Sequence, residues 1–194
     1  MNFWSSVVFS SAGDIDRERY MGNLEYLLVA PTPFWGTMLA KILGNTCLGL
    51  ASLCLTAFYV GVACGVPLEA PHPAALAMAL VLVTGSFVAV AMMMSGVFTL
   101  SRNAWGLMNG LEYPVFLVSG FLFPVEALPA WVRPLSYAML PTWAVKALRC
   151  SLESAPLGAE FWLSVAVMCT LGAAYWTVAV VLYKLIERRV RVAG

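Results

Sequence analysis

Long uncharged apolar runs divide this chain into segments that are long enough to cross a membrane. A helix that crosses about 30 Å of hydrocarbon needs about 20 apolar residues. Four segments meet this requirement: Ile42–Val66, Pro73–Ser101, Asn103–Phe123 and Phe161–Tyr183. The third contains one charged residue, Glu112, and the other three contain none. The pattern predicts an all-α membrane protein with four full transmembrane helices.

Two segments that precede these spans are too short or too polar to cross a membrane. Residues 1–13 are half-apolar, which predicts a partial N-terminal span. Residues 14–31 begin with a charged turn, and Tyr20, Leu24 and Leu28 recur at helical spacing opposite the charged positions. This spacing predicts a short amphipathic helix at the cytoplasmic surface, ended by Pro31 and Pro33.

The connection at 124–160 is unusually apolar for a loop, although prolines interrupt it at four positions: Pro124, Pro129, Pro134 and Pro141. Irregular backbone enters a membrane only where protein or water satisfies its polar groups. We therefore expect short re-entrant helices, or helices lying along the outer face, before the last span.

Basic residues near the span ends predict the orientation, because Lys and Arg concentrate on the cytoplasmic side. They precede the first full span, lie between the second and third, and follow the last: Arg17, Arg19, Lys41, Arg102, Lys184, Arg188, Arg189 and Arg191. The loop at 67–72 has neither Lys nor Arg. We expect a cytoplasmic C-terminus and an extracytoplasmic 124–160 segment, even though that segment contains Arg133, Lys146 and Arg149.

Composition excludes several classes of function. The chain is 61% hydrophobic and 11% charged, which is too apolar for a soluble domain. A net charge of +1 argues against a nucleic-acid partner. The five cysteines lack metal-ligand spacing, and no phosphate-binding loop, metalloprotease or serine hydrolase motif occurs. We therefore expect a protein that is not an enzyme and binds no metal or cofactor of its own.

Two features of the third span allow alternative interpretations. A buried carboxylate costs a few kcal/mol in lipid, so Glu112 either lines a substrate path or proton site, bonds to a neighbouring helix, or lies near the cytoplasmic end of its span. The Gly106–Gly110 pair, like Gly61–Gly65 in the first span, has GxxxG spacing. Such pairs serve helix packing within one chain or between two chains.

Two motifs resemble those of ABC-2 type transporter permeases. The residues from Asp16 to Pro31 are similar to the family's cytoplasmic pattern E-R-E-x-G-T-L-E-x-L-L-x-x-P, with Asn23 at the usual threonine. From Pro114 to Pro129 the chain resembles the family's P-x-x-x-x-S-G-x-x-x-P-x-x-x-L-P segment. Further on, Leu140-Pro141-Thr142-Trp143 stands where the family often has Asn-Pro-Leu-Thr.

The resemblance implies that residues 1–194 form a single ABC-2 type transmembrane domain that lacks the first and most of the second of the family's six spans. The helix at 14–31 would then be the coupling helix that contacts a separate ATPase, through Arg17, Glu18, Gly22 and Glu25. The substrate path and outer gate would use residues of the second motif and its surroundings: Glu112, Pro114, Ser119, Gly120, Phe123, Pro124 and Pro129.

The implied function is that of a permease subunit in an ATP-driven exporter of a drug-like, lipid-linked or polysaccharide substrate. ATP and Mg would bind to the partner ATPase, and two permease subunits would form a homodimer or heterodimer surrounded by lipid in the plasma (inner) membrane of a prokaryote. The short N-terminus motivates an alternative, a truncated paralogue that does not transport and serves as a binding or regulatory subunit.

Overall fold

The computed structural model describes residues 2–22, 33–63, 65, 71–101, 104–123, 125–153 and 158–193, and every regular element in these ranges is helical. The first helix, α1, is continuous and consists of Asn2–Trp4, a π-helical segment Ser5–Phe9, and Ser10–Tyr20. The elements that follow are α2 (Phe34–Ala63), α3 (Pro73–Leu100), α4 (Ala104–Val118), a 3₁₀ turn (Val125–Ala127), α5 (Arg133–Ala138), α6 (Leu140–Leu152) and α7 (Ala159–Ala193).

Three of the described helices are long and apolar enough to cross a membrane: Phe34–Ala63, Pro73–Leu100 and Ala159–Ile186. The prediction of four full spans is not confirmed, because the described part of α4 has 15 residues. At 1.5 Å per residue it is about 22 Å long, short of the hydrocarbon thickness.

Local backbone chemistry explains why α4 ends early. Pro114 lies inside the helix and lacks the N–H that would continue its ladder. After Val118 the chain turns through Ser119 to Gly120, whose φ is +79°. A Cβ at this glycine would also lie 3.0 Å from Val125 Cγ2. The turn therefore combines a left-handed backbone with a close contact, and glycine satisfies both.

The charged and apolar parts of α1 belong to one helix, so the structure has no break at Asp14 between a partial span and a separate amphipathic helix. The apolar part is buried in the bundle, where Trp4 packs edge-on against Phe87 of α3 at 4.7 Å. The helix ends at Tyr20, followed by Gly22 with φ +71°. Within the predicted 14–31 helix, Met21 and Gly22 form a turn, and residues 23–31 lie outside the described residues. A partial N-terminal span stays a prediction.

A row of polar contacts joins α1 to α2. Asn45 Nδ2 donates to Ser11 Oγ at 3.1 Å and to Asp14 Oδ2 at 2.9 Å. One turn away on α2, Lys41 forms an ion pair with Glu18. Residue numbers in these contacts increase along α1 from Asp14 to Glu18 and decrease along α2 from Asn45 to Lys41. The two helices are therefore antiparallel.

α3 forms the centre of the bundle and packs against α6 and α7. Gly96 allows the close approach of α7, since a Cβ there would lie 3.3 Å from Leu182 Cβ. One position earlier, the Ser95 hydroxyl is hydrogen-bonded to the Tyr183 hydroxyl. The buried residues of α6 recur at helical spacing and form its inner face: Leu140, Ala144, Ala147 and Ser151.

These contacts define two ends of the bundle. The basic end contains the end of α1, the start of α2 and the ends of α3 and α7, with Lys41 beside Glu18 and Phe34 packed on Tyr183. The opposite end contains the end of α4, then α5, α6 and the start of α7. The predicted 124–160 segment thus contains short helices in its described part, and their position relative to the membrane stays a prediction.

Candidate functional site

The charged end of α1 is bonded directly to the end of α3. The Arg19 guanidinium donates to the carbonyl oxygens of Ser101, of Thr99 at 2.8 Å and of Phe98 at 3.4 Å. The last carbonyls of a helix have no partner within the helix and attract positive charge. Arg19 therefore caps α3 and fixes the end of α1 to it.

Beside this cap, α1 presents an exposed surface that we call the docking surface, formed by Arg17, Tyr20 and Met21. The side chains of Tyr20 and Met21 are 95% and 63% exposed, and Arg17 is also exposed. An exposed aromatic and an exposed apolar side chain next to a charge can contact another molecule.

The four predicted coupling residues occupy different environments. Arg17 lies on the docking surface, and Gly22 is exposed at the turn that ends α1. Glu18 instead faces α2, where it pairs with Lys41. Glu25 lies outside the described residues.

Glu112 lies at the contact between α4 and α1. Its Oε1 accepts a hydrogen bond of 2.7 Å from the Ser5 hydroxyl, and its side chain is half-buried. This contact matches the interpretation of a carboxylate bonded to a neighbouring helix, and it explains how the charge is accommodated. A role of Glu112 in a substrate path or proton site stays a prediction.

At the opposite end, the turn after α4, together with α6 and α7, lines an open pocket of about 460 Å³, which we call the α6 pocket. Ser119 and Gly120 contribute from the turn after α4. The remaining polar or aromatic wall comes from α5, α6, the following turn and the start of α7: Tyr137, Thr142, Trp143, Lys146, Arg149, Cys150, Glu153, Glu160 and Ser164. A volume of this size is typical of small-molecule sites.

Side chains satisfy the carbonyl groups that the end of α4 leaves unpaired beside this pocket. The Ser136 hydroxyl donates to the Val118 carbonyl, and Arg149 Nη2 donates to the Gly120 carbonyl at 3.4 Å. The Thr142 hydroxyl in turn donates to the Ser136 carbonyl at 2.7 Å. Helix-breaking turns are tolerated at membrane depth when the protein supplies such partners.

Charges of both signs surround the pocket. The Lys146 ammonium lies 4.8 Å from the Tyr137 ring centroid and 5.5 Å from that of Trp143. Burial raises the pKa of the Cys150 thiol, and the charges of Glu153 and Glu160 raise it further, while Lys146 opposes them. Within the described residues, no group of three or more His, Cys, Asp or Glu side chains is arranged to hold a metal ion.

The predicted gate residues are only partly brought together. Of those that the structure describes, Ser119 and Gly120 line the α6 pocket. Pro114, Phe123 and Pro129 are exposed and do not line it. Pro124 lies outside the described residues.

Sequence reasoning missed the most strongly charged part of the pocket. Lys146, Arg149 and Glu153 are spaced by three and four residues, so they occupy one face of α6. That spacing was a usable signal. No comparable signal identified the cap by Arg19, because its acceptors are backbone carbonyls more than 75 residues away in sequence.

The described residues form a helical bundle with three helices of membrane-spanning length. This architecture defines a multi-pass membrane protein. The chain matches the family model described as ABC-2 type transporter over residues 2–152 and therefore belongs to that family. Comparisons with curated proteins and with solved structures found no match. As a family member, the chain is a membrane component of the permease type, which is not the catalytic part of an ABC transporter.

Proposed function

We propose that this chain is the membrane subunit of an ATP-driven exporter and is driven by a separate ABC ATPase. The observation that carries the proposal is the cap by Arg19, which joins the docking surface on α1 to the end of α3. Because α3 packs against α6 and α7, displacement of the docking surface is transmitted to the centre of the bundle. Family membership supports the same interpretation.

In this proposal the basic end faces the cytoplasm of a prokaryote, across its plasma (inner) membrane. Arg17, Arg19, Lys41 and Lys184 lie at this end, in agreement with the concentration of basic residues on the cytoplasmic side. The C-terminus is then cytoplasmic, and the ATPase that binds ATP and Mg contacts the docking surface, together with Glu25.

The opposite end then faces outward, and the α6 pocket lies on the exit side. The gate includes the turn at Ser119 and Gly120, with Glu112, Pro114, Phe123, Pro124 and Pro129 around it. The broken end of α4 supports this role, because a turn supported by side chains is easier to rearrange than a continuous helix. The cargo is a drug-like, lipid-linked or polysaccharide molecule that leaves the cell.

Two permease subunits, identical or related, complete the exporter. Gly110 on α4 is exposed, and nothing described lies within 4 Å of a Cβ built on it. Gly65 lies two residues beyond the end of α2 with a left-handed φ of +61°, so it is not part of a helix face. Small residues on an exposed helix face favour close packing with a helix from another chain.

Co-purification tests the proposed partner. The full chain is co-expressed with a candidate ABC ATPase from the same genome and isolated in detergent through a tag on the chain. Arg17→Glu reverses the charge on the docking surface, so we expect ATPase recovery to fall about tenfold, as for other lost charge contacts at interfaces. Glu25→Lys is expected to have the same effect.

Arg188→Glu serves as the matched control. It reverses the charge of an exposed arginine on α7 that is not part of the docking surface, and it should leave recovery of the ATPase unchanged. Equal recovery with wild-type chain, Arg17→Glu and Glu25→Lys, in proteins with unaltered helix content, would show that α1 does not bind the ATPase.

A further inference from the structure

The α6 pocket is lined by Glu160, Leu163 and Ser164, in the first turns of the membrane-length helix Ala159–Ile186. The end of such a helix is where lipid headgroups are expected. Tyr137 and Trp143 line the pocket, and Trp162, next to the lining residue Leu163, is 57% exposed. Tryptophan and tyrosine concentrate at membrane interfaces, where one edge meets hydrocarbon and the other meets water. Leu163, which lines the pocket and is also exposed, opens it towards the acyl chains.

Charges inside the pocket are separated by sign along its length. Lys146 and Arg149 lie one turn apart on α6, and Glu153 follows one turn further on. Glu160 adds a second carboxylate from the start of α7. From Lys146 to Glu153 the helix rises about 10 Å. The two cations and two carboxylates cancel in total, and along α6 the two positive residues precede the negative Glu153.

This arrangement selects a ligand that also has two separated charges. A purely anionic group gains from the two cations but meets the two carboxylates. A quaternary ammonium binds best on aromatic faces, and Lys146 already covers the rings of Tyr137 and Trp143. A primary ammonium instead donates charge-assisted hydrogen bonds to carboxylates.

We propose that the α6 pocket binds the headgroup of phosphatidylethanolamine, with its phosphate towards Lys146 and Arg149 and its primary ammonium towards Glu153 and Glu160. The lipid enters past Leu163, so its acyl chains remain in the membrane. Lipid binding at this site is a property separate from the proposed export function. It does not require the partner ATPase.

Native mass spectrometry of the delipidated full chain in maltoside detergent tests the site. The protein is titrated with phosphatidylethanolamine, phosphatidylcholine and phosphatidylglycerol that have identical acyl chains. We expect phosphatidylethanolamine to bind about tenfold more tightly than the other two, as one or two charge-assisted hydrogen bonds provide. Equal affinity for the three lipids would overturn the proposal.

Two substitutions at Glu160 sharpen the test. Glu160→Gln should lower the affinity for phosphatidylethanolamine about tenfold. The affinity for phosphatidylglycerol should stay the same or rise slightly. Glu160→Lys should reverse the preference in favour of phosphatidylglycerol, a gain that a misfolded protein does not produce. If Glu160→Lys retains the wild-type preference, the carboxylate does not contact the headgroup and the proposal fails.

Glu187→Gln is the matched control, because it removes the same charge about 40 Å further along α7. It should not change any of the three affinities, and a loss equal to that of Glu160→Gln would also contradict the proposal. Competition with soluble glycerophosphoethanolamine distinguishes a site for membrane lipid from a site for a soluble molecule with the same headgroup. We expect it to compete poorly, and displacement of the lipid at equal concentration would show a site for soluble zwitterions instead.

Discussion

Cys150 reports on the charges in the α6 pocket. Burial and the nearby Glu153 and Glu160 raise the pKa of its thiol, so at pH 7.5 less of it is thiolate than in a free cysteine. Because the thiolate is the reactive form, maleimide labelling in a chain where Cys150 is the only cysteine should be slow at pH 7.5 and accelerate as pH rises.

Replacing both carboxylates with Gln lowers the pKa of Cys150 towards its ordinary value. The labelling rate at pH 7.5 should then increase a few-fold, by roughly the thiolate fraction gained. At a pH well above both pKa values the two proteins should label at the same rate, since each thiol is then ionised. A rate difference that persists at high pH would indicate altered access rather than altered charge.

At the scale of single helices, the polar contacts of Asn45 fasten α1 to α2. Asn45→Ala removes the donors to Ser11 and Asp14, and we expect it to lower the free energy of unfolding by about 1–2 kcal/mol. The measurement is circular dichroism during titration of mixed micelles with dodecyl sulfate.

Thr56→Ala provides the control on the same helix. Among the described residues, its exposed hydroxyl bonds to the Ser52 carbonyl within α2 and to no other helix, so stability should change by less than about 0.5 kcal/mol. If Asn45→Ala lowered the free energy of unfolding as little as this control, the contacts of Asn45 with Ser11 and Asp14 would not stabilise the packing of α1 on α2.

The same scale shows what the sequence alone could predict. Uncharged runs identified α2, α3 and α7, because only helices satisfy the backbone in hydrocarbon. The run from Asn103 to Phe123 is not confirmed as a full span, because the helix ends at Val118 and apolarity does not reveal a turn set by the φ of Gly120. Residues 1–20 were predicted as two segments, because the charges after Gly13 looked like a boundary. In the structure they form one helix, since Asn45 and Lys41 of α2 bond to Asp14 and Glu18.

The site was predictable only in outline, because its parts meet through tertiary contacts. The motifs pointed to Arg17 and to Ser119-Gly120, which lie at the two ends of the bundle. That Arg149 and Glu160 face one cavity depends on how α6 packs against α7, which no spacing within either segment specifies.

For the whole molecule, the central question is how a signal at the basic end reaches the core. Arg19→Gln removes the charge that caps α3 but leaves the docking surface intact. We expect the ATPase to co-purify as before, while the ratio of ATP hydrolysis in the complex to that of the isolated ATPase falls towards one. The assay is phosphate release from both preparations reconstituted in nanodiscs.

Arg19→Lys keeps the charge but loses the planar set of donors, so it should restore part of this ratio. Arg17→Glu should instead impair binding of the ATPase, so less ATPase should co-purify. If Arg19→Gln retained the full wild-type ratio in a complex of normal composition, the cap would be structural and not part of the transmission.

The short α4 also makes bilayer thickness relevant to this protein. Its 15 residues leave it about 8 Å shorter than a typical hydrocarbon layer, and a membrane accommodates such mismatch by thinning beside the short element or by sinking polar groups. Membranes with short acyl chains therefore match the described length of α4 at little elastic cost, whereas long-chain membranes must thin beside it.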